Sequence, residues 1–436
     1  MKLFRTSTPA ASLNGLFRIT VVAFEDKCNL NCGLRFAEVL KQNELFDVNF
    51  FNEPFSKSFL NLQGRNFFDF IDRGNKILSS THSDILVWGY EEDGKIRLNF
   101  QVKNQYVIPN QWTFSLLDSL FLPLSYFANP EKFSNSVLML IYAIIVAAIV
   151  PVTEEQRRHQ PHILSEIIAI LAKDAAPKDI SREFMPYIMN MLGKIYLCNT
   201  VENLSDKDIK IISNLFDEAL NNRQYMRLPI YYGCVYANLG QLYAKAYSSG
   251  KDNSFEYLKI AIANFQEAQK YLNRNYPYDY GMLSYHLALL HFELWKHTLD
   301  LQALRDAVSQ LRDAEKVYSL AQFPQSWCHV EGLLGYYLAS LGMSTKSATI
   351  MQLAIDSYKN QQRIYDQTTY PSEWADIQEK IGKIYYLLGK QNDDEKFFLE
   401  AKNYYNSAIS VYSDLNMKAQ INEAKKILSK INDYLS

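Results

Sequence analysis

Glycine and proline are scarce in this chain, 16 and 13 of 436 residues. Aromatics are plentiful, with 30 Tyr and 25 Phe. That balance excludes a disordered or linker-dominated protein and points to long, uninterrupted, largely helical elements. Cysteine is nearly absent as well. Cys28, Cys32, Cys198, Cys234 and Cys328 are five residues spread over the whole length. An odd, thin set of this kind is no disulfide framework and fits a reducing compartment. An excess of one charge sign is also missing. The net charge of −2 supplies no basic field that would draw the chain to nucleic acid or anionic lipid, so no nucleic-acid partner is expected. The first residues, MKLFRTSTPAASLNGLF, carry Lys2 and Arg5 but no apolar core before Gly15, which argues against a cleaved signal peptide. The expected location is cytoplasmic.

Long hydrophobic runs are lacking too, with one near miss. LMLIYAIIVAAIV (138–150) stretches to 137–152, with Pro151 inside its end. Sixteen helical residues reach about 24 Å, short of the roughly 30 Å of a bilayer core. The flanking Thr153-Glu154-Glu155-Gln156-Arg157-Arg158 has charges that nearly cancel, and Tyr142 sits mid-run where an interfacial belt would not place it. The stretch is expected to be a buried core helix; the alternative is a spanning segment that anchors the chain to a membrane.

The second half contains a repeat of about forty-seven residues. PSEWADIQEKIGKIYYLLG begins at Pro371, and PQSWCHVEGLLGYYLASLG begins at Pro324. Trp327/Trp374 and Gly335/Gly382 recur in register, and Pro277, Tyr280 and Ala288 fall where Pro, Trp and Gly are expected one repeat earlier. Pro229, Gly240 and Gly193 extend the series. The small residue always follows Leu or Ile, as in Leu192-Gly193, Leu239-Gly240, Leu287-Ala288, Leu334-Gly335 and Ile381-Gly382. A second pattern keeps the same beat. Ala261, Ala307, Ala354 and Ala401 are each followed four residues later by Phe265, Leu311, Tyr358 or Tyr405. Helical spacing puts Leu, the small residue and a bulky residue on one stripe. The small residue admits a neighbouring helix closely and the bulky residue fills the space beside it. Pro opens the next helix, where its missing N–H costs nothing. Each unit is thus two antiparallel helices that bury their apolar stripes by stacking.

L-G-x-x-Y, then A-x-x-x-[FY]-x-x-A, then Pro, resembles the tetratricopeptide repeat over roughly 181–436, in five copies of which the first is degenerate. The unit departs from that family in length, about 47 residues against 34. The surplus sits in stretches such as SSGKDNSFEYLK and GKQNDDEKFFLE, so longer helices or an extended inner loop are expected. HEAT-type helical repeats share the length but place Pro and Asp differently. In the tetratricopeptide family the first helices line a concave groove. The resemblance therefore implies a groove lined by Asn190, Lys194, Gln241, Lys245, Tyr285, Glu293, His329, Tyr336, Asp376, Glu379 and Lys383. Their mixed charge and tyrosine content suit a peptide or helix of a protein partner.

Ahead of the repeats the periodicity shortens to strands. FRITVVAF (17–24) and FDVNFF (46–51) are strand-like; GLRFAEVLKQNEL (33–45) and NFFDFIDRGNKILSS (66–80) are amphipathic helices. SDILVWGYEEDGKIRLNFQV follows as a hairpin turning at Asp93-Gly94. The order β-α-β-α-β-β predicts a small layer with parallel strands joined by crossover helices. With ITVVAFED and SDILVWGY it resembles the amino-terminal α/β domain of TolB and CsgG-type bacterial proteins, which implies assembly and protein contact. The fold class is accordingly α+β overall: an α/β domain over 1–105, an apolar helical connector over 106–180 and an all-α tetratricopeptide-like superhelix over 181–436.

Catalytic constellations are missing. Cys28-x-x-x-Cys32 lacks the four ligands of zinc and the C-x-x-C spacing of a redox pair, and Arg35 stands where a third cysteine of an iron–sulfur site would be. His159 and His162 flank Pro161 in a charged connector; His286 and His291 fall on different faces of one helix, with His291 at a packing position. No G-x-G-x-x-G follows the first strand, and no G-x-x-x-x-G-K-[ST], G-x-S-x-G or H-E-x-x-H occurs. SSGKDNS (248–254) is a loop rather than a phosphate cradle. The expectation is a non-catalytic scaffold with no cofactor that binds a protein segment. The alternatives are a membrane-anchored assembly factor using 137–152, or a small-molecule sensor working through the α/β domain.

Overall fold

The computed structural model describes residues 13–25, 31–54, 65–103, 114–115, 117–174, 180–200, 204–250 and 254–436. Cys28 of the Cys-x-x-x-Cys pair, and 251–253 of the SSGKDNS loop, lie outside them. The fold is α+β, a small sheet followed by consecutive helices that pack pairwise as a solenoid. It divides into two compact units, Met1–Asp279 and Tyr280–Ser436.

In the first unit, strands β1 (Phe17–Val22), β2 (Phe46–Phe51), β3 (Ile85–Glu92), β4 (Lys95–Val102) and β5 (Leu120–Pro123) form one sheet in the order β2-β1-β3-β4-β5. Helices α1 (Cys32–Lys41) and α2 (Arg65–Ser80) make the crossovers that leave β2 and β3 parallel to β1, as the β-α-β-α-β order requires. β3 and β4 form the expected hairpin; Asp93 and Gly94 at its turn have φ of 47° and 75°, the left-handed pair a two-residue turn demands. β5 was not foreseen. The stretch expected to be a helical connector holds a short strand pairing antiparallel to β4, too brief and too uniformly apolar to show a period of two.

The apolar run forms α4 (Asn135–Ala148), preceded by the single-turn helix α3 (Leu124–Ala128). Leu140, Ile141, Ala143, Ile144 and Ile145 are fully buried in it, and Tyr142 packs edge-on against Phe46 of β2. α4 has 14 residues and ends where Ile149 turns to extended backbone. Among the described residues, which include 137–152, no helix is long and apolar enough to cross a membrane. α5 (Glu154–Asp174) returns along α4, its Gln160 amide donating to the Ile149 carbonyl at 2.7 Å. That bond serves an otherwise unpaired helix-end acceptor.

The repeat helices follow: α6 (Met185–Asn199) with α7 (Asp206–Asn221), and α8 (Ile230–Ser248) with α9 (Ser254–Tyr271). The boundary between the units falls inside α10 (Pro277–Thr298). The second unit continues with α11 (Leu301–Val317), α12 (Pro324–Thr345), α13 (Ala348–Gln361), α14 (Pro371–Asn392), α15 (Glu395–Asp414) and a closing α16 (Lys418–Tyr434). Of the two ways to absorb the surplus length, the chain uses longer helices. α12 and α14 have 22 residues each, and only a left-handed residue with one N-cap links each to the next helix: Lys346 with Ser347, Asp393 with Asp394.

The small-residue register has a direct physical basis. A Cβ built on Gly193 would stand 2.5 Å from the Phe216 ring, one on Gly240 2.4 Å from Phe265, and one on Gly335 2.8 Å from Tyr358. Each first helix therefore receives the ring of its second helix against bare backbone. The degenerate first copy uses the same device. Where the second helix offers only Leu311, the register carries Ala288 instead of glycine, and both are fully buried.

Candidate functional site

The residues on the inner stripe of the first helices occupy corresponding positions in each repeat. Directly after the small residue stand Lys194, Gln241, Tyr336 and Lys383. One turn earlier come Asn190, Tyr285 and Glu379, with His329 and Asp376 a further turn back; Lys245 and Glu293 lie one turn later. Their environments differ between the two units.

In the first unit the stripe is covered. Lys194 on α6 is 1% exposed, and its ammonium donates to Asn238 Oδ1 at 2.9 Å and Gln241 Oε1 at 2.8 Å, both on α8. Asn238 in turn donates to Asn190 Oδ1 at 3.0 Å and to Asp118 Oδ1 at 3.5 Å. Asp118 belongs to the segment that leads into β5. The same segment lays the Phe114 ring 5.7 Å from the Lys194 ammonium. Its Ser115 hydroxyl donates to Asp279 Oδ1 at 2.5 Å, in the first turn of α10. Asp118 also accepts from the Ser115 amide at 2.9 Å, which folds the segment on itself. Lys245 sits one turn on, donating to the Leu197 carbonyl at 3.3 Å and the Thr200 hydroxyl at 3.2 Å; burial lowers its pKa.

β5 continues the seam. Phe121 packs on Tyr187 of α6, ring centres 4.4 Å apart, and edge-on to Tyr231 of α8 at 5.7 Å. The fully buried Arg97 of β4 lies 5.7 Å from the Phe121 ring and 5.2 Å from the Tyr231 ring, and it donates to Ser119 Oγ at 2.8 Å and Tyr90 Oη at 2.9 Å. At the rim, Lys95 pairs with Glu183 and Arg227 with Asp93. Burial raises Asp279 to about 7, with the Asp118 charge adding to the effect and the Ser115 hydrogen bond opposing it. Asp118, Ser115, Asn238, Asp279 and Arg97 escaped the sequence reading. The available signal was Asp118-Ser119, a charged and a polar residue in the middle of the apolar run WTFSLLDSLFLPL.

In the second unit four of the seven corresponding positions are exposed. Tyr336 of α12 is 51% exposed, and His329, Asp376 and Lys383 are exposed as well. Glu293 and Glu379 are half-buried, the first paired with Lys296 at 2.7 Å and the second accepting from Tyr412 Oη at 3.2 Å. Asp376 pairs with Lys380 at 2.6 Å. Tyr285 alone is buried; its hydroxyl lies 2.9 Å from His329 Nε2. Partial burial lowers the His329 pKa. Phe292 supports the exposed Tyr336 from 5.2 Å and stacks on Tyr337 at 4.0 Å. The result is an aromatic platform edged by single charges of both signs.

Among the described residues no three His, Cys, Asp or Glu side chains stand together as a metal-binding group. His291 is buried at 6% exposure, in keeping with a packing position.

No family model matches this chain, and no curated protein matches it. Among solved structures it is similar to the crystal structure of BtubC (BKLC) from P. vanneervenii, at 16% identity and a TM-score of 0.35, over 65% of this chain and 93% of that one. A likeness at that level carries no functional argument.

Proposed function

We propose that this protein is a non-catalytic scaffold of tetratricopeptide type, which holds a segment of a partner protein against the first-helix stripe of its second unit. The observation that carries this is the difference between equivalent positions. In the first unit, Lys194 and Gln241 are buried, with Phe114 and Asp118, ahead of β5, set against Lys194 and Asn238. In the second, Tyr336 and Lys383 occupy the same repeat position and face solvent. A stripe that accepts a chain segment in one unit supports the same use in the other. Tyr336, His329, Asp376 and Lys383 combine an aromatic anchor with polar and charged side chains of both signs, a composition suited to peptide rather than phosphate backbone.

The amino-terminal layer, read as TolB/CsgG-type, fits the scaffold as a second protein-contact module. The sparse cysteines fit a cytoplasmic setting. Neither the anchored nor the small-molecule alternative gains a supporting observation.

Quantitative affinity capture tests the proposal. The double variant Tyr336→Ala/Lys383→Glu should lose at least tenfold in recovery of a discrete partner, while Leu353→Ala, a 43% exposed residue of α13, should leave recovery unchanged. Equal recovery by all three chains would sink the proposal.

A further inference from the structure

Away from the stripe, the junction of α7 and α8 carries polar groups that the fold does not use. Leu220 and Asn221 follow Asp217 at three and four positions on α7, which puts the three on one helix face. Arg223 stands in the single helical turn after α7, and Tyr236 comes from α8. Together these five residues line an open recess of about 600 Å³. Clefts that take small molecules have volumes of roughly 300–1,000 Å³.

The frame of this recess is tied down. The Tyr236 ring is nearly parallel to that of Tyr271 on α9, at 4° and a centre separation of 6.2 Å. Tyr232, one turn earlier on α8, sets its ring edge-on to Tyr271 at 5.8 Å. Its hydroxyl donates to the Arg223 carbonyl at 3.2 Å, which fixes the backbone that carries the guanidinium. The lining side chains themselves are unspent. Among the described residues, the Asp217 carboxylate, the Asn221 carboxamide, the Arg223 guanidinium and the Tyr236 hydroxyl make no hydrogen bond or ion pair. On α9, by contrast, Lys259 pairs with Glu256 and Lys270 with Glu267. Partial burial also raises the Asp217 pKa; its carboxylate has lost some water without gaining a partner. An acid and a guanidinium thus border one recess without pairing. A ligand with a single charge would satisfy one of them and leave the other idle. A ligand with both charges serves both, and the tyrosine ring offers it an aromatic seat.

We propose that this recess binds a free aromatic α-amino acid as its zwitterion: Asp217 takes the ammonium, Arg223 takes the carboxylate and the ring of the ligand packs on Tyr236. A guanidinium suits a carboxylate through two parallel hydrogen bonds, and Asn221 can donate to or accept from either end. The site lies on the repeat helices, outside the sheet layer, and shares no residue with the first-helix stripe. It goes beyond the scaffold reading and does not depend on it.

The test is calorimetric titration of the full chain with three phenyl compounds. These are L-phenylalanine, phenethylamine, which lacks the carboxylate, and hydrocinnamate, which lacks the ammonium. L-phenylalanine should bind in the millimolar range or tighter, and each analogue at least tenfold more weakly. Asp217→Asn should bind L-phenylalanine and hydrocinnamate alike, because the ammonium has lost its partner. Arg223→Gln should bind L-phenylalanine and phenethylamine alike. Both positions are exposed, so both variants should keep the native melting temperature. Three results overturn the inference: no binding of L-phenylalanine, equal affinity for the three compounds, or folded variants that discriminate among them as the native chain does. None of these touches partner capture at Tyr336 and Lys383, so the two proposals fail separately.

Discussion

Lys194 donates a 2.8 Å hydrogen bond to Gln241 Oε1, and the two residues are the same repeat position, forty-seven residues apart. Successive first helices thus join through their inner stripe by a buried polar ladder as well as by apolar packing. A charge at 1% exposure is tolerable only with such partners. Lys194→Ala removes the donor to the buried Asn238 and Gln241 carbonyls. It is expected to cost about 3–5 kcal/mol, the range for breaking a buried charged network, read as a lowered urea midpoint. Lys383→Ala, at the matching but exposed position, should change stability by no more than about 0.5 kcal/mol.

Gly240→Ala tests the repeat register. Alanine gains about 1 kcal/mol of helix propensity, but its Cβ would lie 2.4 Å from the fully buried Phe265 ring. Overpacking of a rigid ring costs about 1–3 kcal/mol, so net destabilisation is expected. Phe265→Leu on the same chain should recover most of it, reproducing the Ala288 and Leu311 pairing of the next repeat. A double-mutant cycle in thermal or urea unfolding checks this; strict additivity would contradict it.

Asp279 gives the first unit a pH dependence. Its folded-state pKa of about 7 lies above the ordinary 3.8, so the folded chain holds the proton more tightly than the unfolded one. The resulting stability is present below about pH 4 and is lost as pH rises through 7, at up to about 1.4 kcal/mol per pH unit. Asp279→Asn should flatten that decline and exceed the native protein in stability at pH 8. Glu331 in the second unit, raised by burial and by Glu315, shifts in the same direction, and Glu331→Gln should act likewise there. Unfolding free energies at pH 5, 6, 7 and 8 decide both cases.

Burial pushes the thiols of Cys198, Cys234 and Cys328 upward. Little thiolate exists at pH 7.5, so these three should resist a thiol reagent in the native chain and react once it is denatured. Peptide mapping by mass spectrometry after a short alkylation measures this. Rapid native labelling of Cys234 would contradict the burial.

Elements governed by local chemistry were legible in the sequence. Asp93-Gly94 announced its turn, Gly193, Gly240, Gly335 and Gly382 marked the helix seats, and the apolar run of α4 declared a buried helix. Long-range burial was not legible. Arg97, Asn99 and Gln101 alternate along β4 like the wet face of a strand, yet all three are buried. Lys194 follows Gly193 just as exposed Lys383 follows Gly382, and nothing local separates them. What differs is the chain ahead of β5, some seventy-five to eighty positions upstream of Lys194, whose Phe114 ring lies against the ammonium and whose Asp118 accepts from Asn238. Register therefore names the stripe positions, while which of them are open was settled only by tertiary packing.

The most direct test of the scaffold is a photo-reactive amino acid placed singly at position 336, 383 or 353 of the full chain in expressing cells. Irradiation is predicted to give one common cross-linked protein from positions 336 and 383, and none from position 353 on α13. Cross-links to that protein from all three positions, or from position 353 alone, would contradict a partner held on the first-helix stripe.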